Sequence, residues 1–444
     1  MPTAVASSTK PNSAYSQETL DALVALRGEP AWLSKRRGDA LAFFETAAWP
    51  TLRDEEWRRT DIRAMKLAAF PPPFGLEVSA NARAEIAVFH ESAENTYATG
   101  LAHCDGSLVR SPDVSRLPAG VVFTDLPSAV RSHPTLVEKY LLTRAVDPRA
   151  DALSALHAAF WTSGALLYVP KGVKLNAPLF HNLALSSEGQ TDFSHTLVVL
   201  EEGAEATLVQ ETASAARTQP GLHMGAVELI LGRQSKLCFV NIQNWDQHTW
   251  HFSRERAIVG RDARLQWTVG GLGSRLAKVN QEVALAEPGA SAQVNGIMFT
   301  TARQNITYMT RQDHLSGHTT SDLLYKGVLK DSSRIVWKGM IKVEKDAQRT
   351  DAYQKNDSLL LADSARADSI PGLEIEANDV RCTHGATVGR VDEDMIFYLG
   401  ARGIPRREAA RLIVEGFFAG VYDRIGVDAV RDSLQKAVAH KLNI

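Results

Sequence analysis

The sequence predicts a mainly β protein, a β-solenoid flanked by α-helical regions at both ends, on three observations. First, from about residue 164 short β-branched and often alternating runs recur: "GALLYVP", "HTLVVL", "AVELIL", "RLQWTV", "QVNGIMF", "RIVWKGMIKV" and "LEIEANDV". Second, polar corners followed by a small residue punctuate them, at Gly203-Ala204, Gln234-Ser235, Asp262-Ala263, Gly289-Ala290, Asp331-Ser332, Asp346-Ala347 and Ser364-Ala365. Most steps between corners lie near one or two times a unit of roughly 14 to 16 residues, loosely like a repeat array. Third, no helical segment interrupts the series, which argues against a doubly wound sheet. Short strands stacked rung on rung satisfy all three, with small residues where corners crowd and apolar side chains in inward ladders. The competing architecture is a large antiparallel sandwich with irregular hairpins.

Taken in order, residues 1–14 are rich in Ser, Thr, Pro and Ala and read as a disordered tail. Residues 15–75 read as helical. Ser16 can cap a helix carrying Leu20, Leu23, Val24 and Leu26, and Pro30 can open a second with Trp32, Leu33, Leu41, Phe43 and Phe44. "PPPF" at 71–74 breaks the chain, and residues 76–154 are a mixed α/β connecting region with no resolved pattern. The solenoid is expected over 155–388, and residues 389–444 form a C-terminal helical region. There Asp392, Glu393 and Asp394 suit a helix N-terminus that runs to Gly403. Pro405 begins the next helix, with Leu412, Ile413, Phe417, Phe418 and Val421. A last helix places Val430, Leu434, Val438 and Leu442 on one stripe. Phe417 and Phe418 point about 100° apart on a helix. One core does not easily take both rings, so a second surface is expected over one of them.

Bulk composition narrows the class. Of the 444 residues 44% are apolar and 23% charged, as in a soluble globular protein. With 49 basic and 51 acidic residues the net charge is -2, which argues against a nucleic-acid footprint. No run of about 18 apolar residues predicts a membrane span, and the N-terminal stretch does not read as a secretory signal. Cys104, Cys238 and Cys382 are few, odd in number and far apart, so a reducing cytoplasm is expected rather than a disulfide framework. Without a CxxC pair, a self-contained four-thiolate site is excluded.

Motifs for common catalytic chemistry are missing. There is no GxxxxGK[ST], so ATP binding through a P-loop is not expected, and there is no HExxH or GxSxG. "VGGLGSR" at 269–275 reads as a flat turn. His314 and His318 lie four apart on strand and loop, where a shared metal is not expected, and His248 and His251 beside Trp250 read as packing. The stretch "EIEANDVRCTHGATVG" is different. On a strand over 380–384, Val380, Cys382 and His384 share one face, with the two ligand-type side chains roughly 7 Å apart at their bases. Both reach toward one metal centre in that geometry, and a core cysteine above Val380 fits it equally. His384 stands at the strand's end beside Gly385, where exposure is expected. Two ligands do not hold a cluster firmly, so a site here needs a second chain or a labile cargo.

The segment "QRTDAYQKNDSLLLADSARADSIPGLEIEANDVRCTHGATVGRVDEDMIFYLGARGI" resembles the C-terminal signature of the SufB/SufD scaffold family of iron–sulfur cluster assembly. "PTLRDEEWRRTDI" at 50–62 is similar to that family's Trp-containing opening motif, and length and helix–β–helix order agree. Within the family the SufD branch is nearer. Ala365 stands where the SufB branch carries a cysteine, and Asp368 where it carries a histidine. Thr383-His384-Gly385 replaces its Glu-His-Glu run.

The resemblance implies a right-handed parallel β-helix and a non-enzymatic scaffold role. It implies a SufB-like paralogue as partner, and a SufC-like ABC ATPase docked on the C-terminal helices through Phe397, Tyr398, Leu412, Ile413, Phe417 and Phe418. His384 matches a histidine facing the paralogue, with Cys382 nearby, as metal ligands for iron or a transient iron–sulfur cluster at the shared interface. ATP would sit on the partner ATPase only. Flavin occurs in some complexes of this kind, and no flavin motif is visible here. A homodimer is the expectation to test for the chain alone. One competing reading is a purely structural partner with no cluster ligand of its own. Another is a carbohydrate-active or acyl-transfer β-helix enzyme, against which stand the missing hexapeptide repeat and the missing secretory signal.

Overall fold

Each strand of the central region pairs not with its neighbour in sequence but with the next but one. The computed structural model describes residues 14–75, 77–84, 97–216 and 218–443. The tail expected over 1–14 lies outside the described residues except for Ala14. One ten-stranded sheet holds β1 (Gly100–Cys104), β2 (Ser107–Arg110), β5 (Leu179–Leu185), β7 (Glu205–Ser214), β9 (Lys236–Asn244), β11 (Arg264–Gly271), β13 (Ser291–Thr300), β15 (Thr320–Leu329), β17 (Asp351–Leu360) and β19 (Arg381–Arg390). The facing nine-stranded sheet holds β3 (Val122–Asp125), β4 (Ala165–Val169), β6 (Thr191–Leu200), β8 (Gly221–Leu231), β10 (Thr249–Val259), β12 (Leu276–Leu285), β14 (Asn305–His314), β16 (Arg334–Val343) and β18 (Arg366–Ile375). From β4 onward all pairing within each sheet is parallel, as at Leu208↔Phe239 and Glu255↔Gln281. This is a two-sided β-solenoid of about 8 turns, with one strand and one corner on each side of a turn.

The alternation read from sequence becomes an inside and an outside. On β16, Ile335, Trp337, Ile341 and Val343 are buried in the interior, while Lys338 and Lys342 stand outward in ion pairs with Glu55 and Glu344. Trp267, Tyr308, Tyr325 and Trp337 fill the solenoid core. "HTLVVL" and "AVELIL" are continuous rather than alternating because β6 and β8 are buried on both faces.

Corners turn through left-handed backbone at Gly203, Gln234, Asp262, Gly289 and Asp331. A small residue follows inside in each case: Ala204, Ser235, Ala263 and Ala290 are fully buried, and at the fifth corner the buried residue is Ser333 rather than Ser332. Asp346 and Ser364 do not adopt the left-handed conformation. The glycines of 269–275 serve close approach. A side chain at Gly270 would meet Leu434, and one at Gly273 would overlap the Trp245 backbone.

Helices cover the outer faces. Ser16 caps α1 (Gln17–Arg27), accepting from the Thr19 N–H at 3.3 Å, and α2 (Ala31–Thr46) begins behind Pro30. The connecting region supplies β1 to β3, α3 (Leu126–Ser132), α4 (Pro134–Tyr140) and α5 (Ala152–Phe160). Arg37 is fully buried between α2 and α5. It is paired with Glu29 at 2.7 Å, donates to the Ala159 and Trp161 carbonyls, and stacks on the Trp161 ring. Each polar atom of that charge is thereby matched, the condition for burying it.

The "PTLRDEEWRRTDI" segment runs along the outer face of the nine-stranded sheet. Trp57 is buried near Phe252, Thr60 bonds Thr307 at 2.9 Å, and Glu55 pairs with Lys338 at 2.7 Å. At the other end, α6 (Glu393–Ala401) leads to α7 (Arg406–Tyr422) and α8 (Asp428–Asn443). Val414, Phe418, Val421, Val430, Leu434 and Val438 of α7 and α8 pack on Val240, Ile242, Ile297 and Phe299 of the ten-stranded sheet. Among the described residues, no helix is long and apolar enough to cross a membrane.

Candidate functional site: the open end of the solenoid

β18 and β19 are the last strands of their sheets, each paired on one side only. Cys382 lies beside Ala352, His384 beside Gln354, Ala386 beside Asn356 and Val388 beside Ser358. The four β17 residues are buried and face the interior. Their β19 partners therefore face the same way, with no further turn over them among the described residues. On β18, Leu373 and Ile375 extend the interior columns of Ile341 and Val343. Leu373, Ile375 and Val388 are all exposed. The end of the solenoid is thus an uncovered cross-section of its own core. Natural sheets and solenoids cap or occupy such an end.

The two candidate ligands differ in setting. Cys382 is half-buried with Val380 against Ile341, Val343, Ala347, Ala352 and Ala377. Burial pushes its thiol up, the Asp351 carboxylate adds to this, and the Ala352 N–H offsets part of it. The thiol is therefore protonated at neutral pH, and a metal must displace that proton to bind. His384 is exposed. It does not stand at the strand's end as expected, since β19 continues to Arg390, so Gly385 is a mid-strand residue. Below it, fully buried Gln354 donates through Nε2 to the Gly372 carbonyl at 2.9 Å, and among the described residues its Oε1 has no partner. Among the described residues no group of three or more His, Cys, Asp or Glu is arranged to hold a metal ion. Cys382 and His384 form an incomplete set within this chain.

Other histidines are brought together in the interior; His251 packs as expected, and the sequence reading missed its partners. His223 meets His251 at 2.8 Å and Ser194 at 2.9 Å, His103 bridges Asp125 and His181, and His195 meets Glu228 at 3.0 Å. Burial, with the neighbouring histidine in the first two, pushes His157 and His181 down to about 3, and burial does the same to His251. These rings stay neutral and serve as hydrogen-bonded core. His314 is likewise buried against Thr319 and Ser321, while His318 turns a corner, so the two do not converge. Strand parity turns both His223 and His251 inward, and the register of β8 with β10 pairs them.

The residues expected to dock a partner divide in two. Phe397 is 77% exposed, and Tyr398, Leu412 and Met395 are exposed with it on α6 and α7. Phe418 is fully buried in this chain's own core, which corrects its assignment to a docking surface. Phe417 packs edge-on to Phe418 at 5.5 Å with the Lys326 ammonium 4.8 Å over its ring, and Ile413 is half-buried. Both phenylalanines are thus accommodated by this chain, contrary to the expectation of two separate surfaces. Phe418 is buried in the cluster between α7, α8 and the ten-stranded sheet, and Phe417 is half-buried against the same cluster.

Comparison with known proteins agrees with this architecture. Residues 183–417 match the family described as SUF system FeS cluster assembly, SufBD core domain, and residues 17–180 match the SufBD protein N-terminal region. The chain is 29% identical to the iron-sulfur cluster assembly protein SufD of Bacillus subtilis over 96% of its own length and 98% of that protein. It is 31% identical to a SufBD family iron-sulfur cluster assembly protein of Staphylococcus saprophyticus, over 67% of this chain and 64% of that one. A Staphylococcus haemolyticus homologue is 30% identical with the same coverage. With both regions matched in order and the solenoid in place, the chain belongs to the SufBD family.

Proposed function

We propose that the chain is a SufD-like, non-enzymatic subunit of an iron–sulfur cluster assembly scaffold, and that its open solenoid end receives a SufB-like paralogue. Iron or a nascent cluster is then the cargo at the junction, with His384 and Cys382 as this chain's share of the ligands. The observation that carries the reading is the exposed imidazole of His384 on an uncapped terminal strand, beside one thiol and, among the described residues, no third ligand. A partner strand added there would cover the apolar end and bring donors of its own. The exposed Phe397, Tyr398 and Leu412 suit docking of a SufC-like ATPase, which fits a chain without a P-loop. A cytoplasmic site of action accords with free thiols at all three cysteines.

The test is co-expression with the paralogue and the ATPase, with maturation of a cluster-dependent enzyme as readout. His384→Ala combined with Cys382→Ala should lower maturation while the complex still assembles. Normal maturation by the double variant would favour the second reading, a purely structural partner. The half-burial of Cys382 in an apolar cluster is the observation on that side.

A further inference from the structure

Where the Trp57 segment crosses the outer face of the nine-stranded sheet, it leaves a cavity of about 30 Å³ beside Lys278. That is room for one or two waters or one small ion, and too little for an organic cofactor. Trp57, Asp151, Ser154, Phe252, Arg254 and Asn280 are among its walls. Lys278, on β12, is only 3% exposed. Its ammonium donates to the Glu56 carbonyl at 3.2 Å and the Met309 sulfur at 2.7 Å, and lies 4.7 Å from the Trp57 ring centre. These are neutral partners.

Two carboxylates of this region, one of them in the cavity wall, are paired with arginines. Asp151 pairs with Arg254 at 2.8 Å, and Glu282 pairs with both Arg254 and Arg256. Glu56 and Asp151 favour the Lys278 charge, but neither forms an ion pair with it. Burial brings Lys278 down to about 8, and the Arg254 and Lys338 charges push the same way. A buried ammonium on neutral acceptors is costly, and it keeps a third N–H to give. Asn280, the register partner of Arg254 on β12, adds a side-chain amide in the cavity wall, while the three nitrogens of Arg254 already donate to Ser154, Glu282 and Asp151.

We propose that this cavity binds a small monovalent inorganic anion, held by the Lys278 ammonium and the neighbouring donor side chains. The proposal stands apart from the assembly role, since it concerns the outer face of the sheet and not its open end.

Bromide is the probe. Crystals of the full chain grown or soaked in sodium bromide should show an anomalous peak beside Lys278 Nζ. In solution, the thermal midpoint of the wild type should rise by about 2 °C in bromide relative to gluconate at equal ionic strength. Lys278→Met keeps the volume and removes the charge, and should abolish the rise. Water density alone in the cavity of the wild-type crystal would overturn the proposal, as would an undiminished bromide response in the variant. The crystallographic arm decides the matter alone if the variant does not fold.

Discussion

His384 lies directly beside Gln354 on the last rung of the ten-stranded sheet, and among the described residues no strand lies on its other side. Gln354 is fully buried and His384 is exposed. One step along the solenoid axis therefore takes an inward-facing column from closed core to open surface. The functional reading rests on that step.

Pairing of a second chain at this edge makes a backbone prediction. Arg381 and Val391 donate their N–H groups back to Thr350 and Leu360 at 2.9 and 3.2 Å. By alternation along the strand, the N–H groups of Cys382, His384, Ala386 and Val388 point to the open side. Ala386→Pro should then leave the thermal midpoint of the isolated chain nearly unchanged, because edge proline removes no internal ladder bond. It should weaken capture of the paralogue at least tenfold in a pull-down or by sedimentation. Unchanged capture would mean that the partner sits elsewhere.

The C-terminal helices should separate core from surface. Phe418→Ala, which empties a fully buried site, should destabilise the chain by about 3–5 kcal/mol in urea unfolding. Phe397→Ala, at 77% exposure, should stay within about 0.5 kcal/mol of wild type. If Phe397 serves docking, its variant loses ATPase binding without losing stability. Equal destabilisation by both variants would contradict this division.

Gly164 is a strict backbone requirement. It has φ of +129°, and a Cβ there would overlap the backbone of His195. Neither the conformation nor the neighbour can yield cheaply. Gly164→Ala should cost more than about 3 kcal/mol or prevent folding, whereas Gly172→Ala, whose Cβ meets nothing, should show only the strain of its left-handed φ of +74°. Comparison of soluble yield and unfolding midpoint checks both.

The interior carboxyl of Glu255 gives a pH signature. Burial raises it from 4.5 to about 7, while Ser253 and Asn241 hold it down in part through hydrogen bonds. Between those two values the unfolded chain has released this proton and the folded chain has not. Stability from this group therefore falls as pH rises from 4.5 to about 7 and levels off above. Glu255→Gln should flatten that part of the curve and leave the variant more stable at pH 8, by on the order of 3 kcal/mol. Parallel curves for wild type and variant would refute the assignment.

Much of the fold was legible from residue pattern. Asp262 marked a corner because a short Asp side chain tolerates left-handed backbone, and the buried Ala263 behind it, like Ser235 behind Gln234, marked the crowding inside. The connecting region was not legible, since its strands are defined by partners far along the chain, as in Ala102↔Asn182. The Cys382 and His384 face followed from strand parity, while its openness depends on β19 being the last strand of its sheet among the described residues, which no local pattern encodes. Phe418 was misread because a phenylalanine on a helix declares its hydrophobicity but not which surface receives it. The buried histidine contacts escaped for a related reason. His223 and His251 are 2.8 Å apart only because a turn of about 28 residues returns the chain to the same height.

The most direct measurement is the iron and sulfide content of the complex purified with its paralogue and ATPase under anaerobic conditions, for wild type and for His384→Ala. A several-fold loss of bound iron is expected in the variant, with subunit composition unchanged. Equal iron and sulfide in both complexes would contradict it.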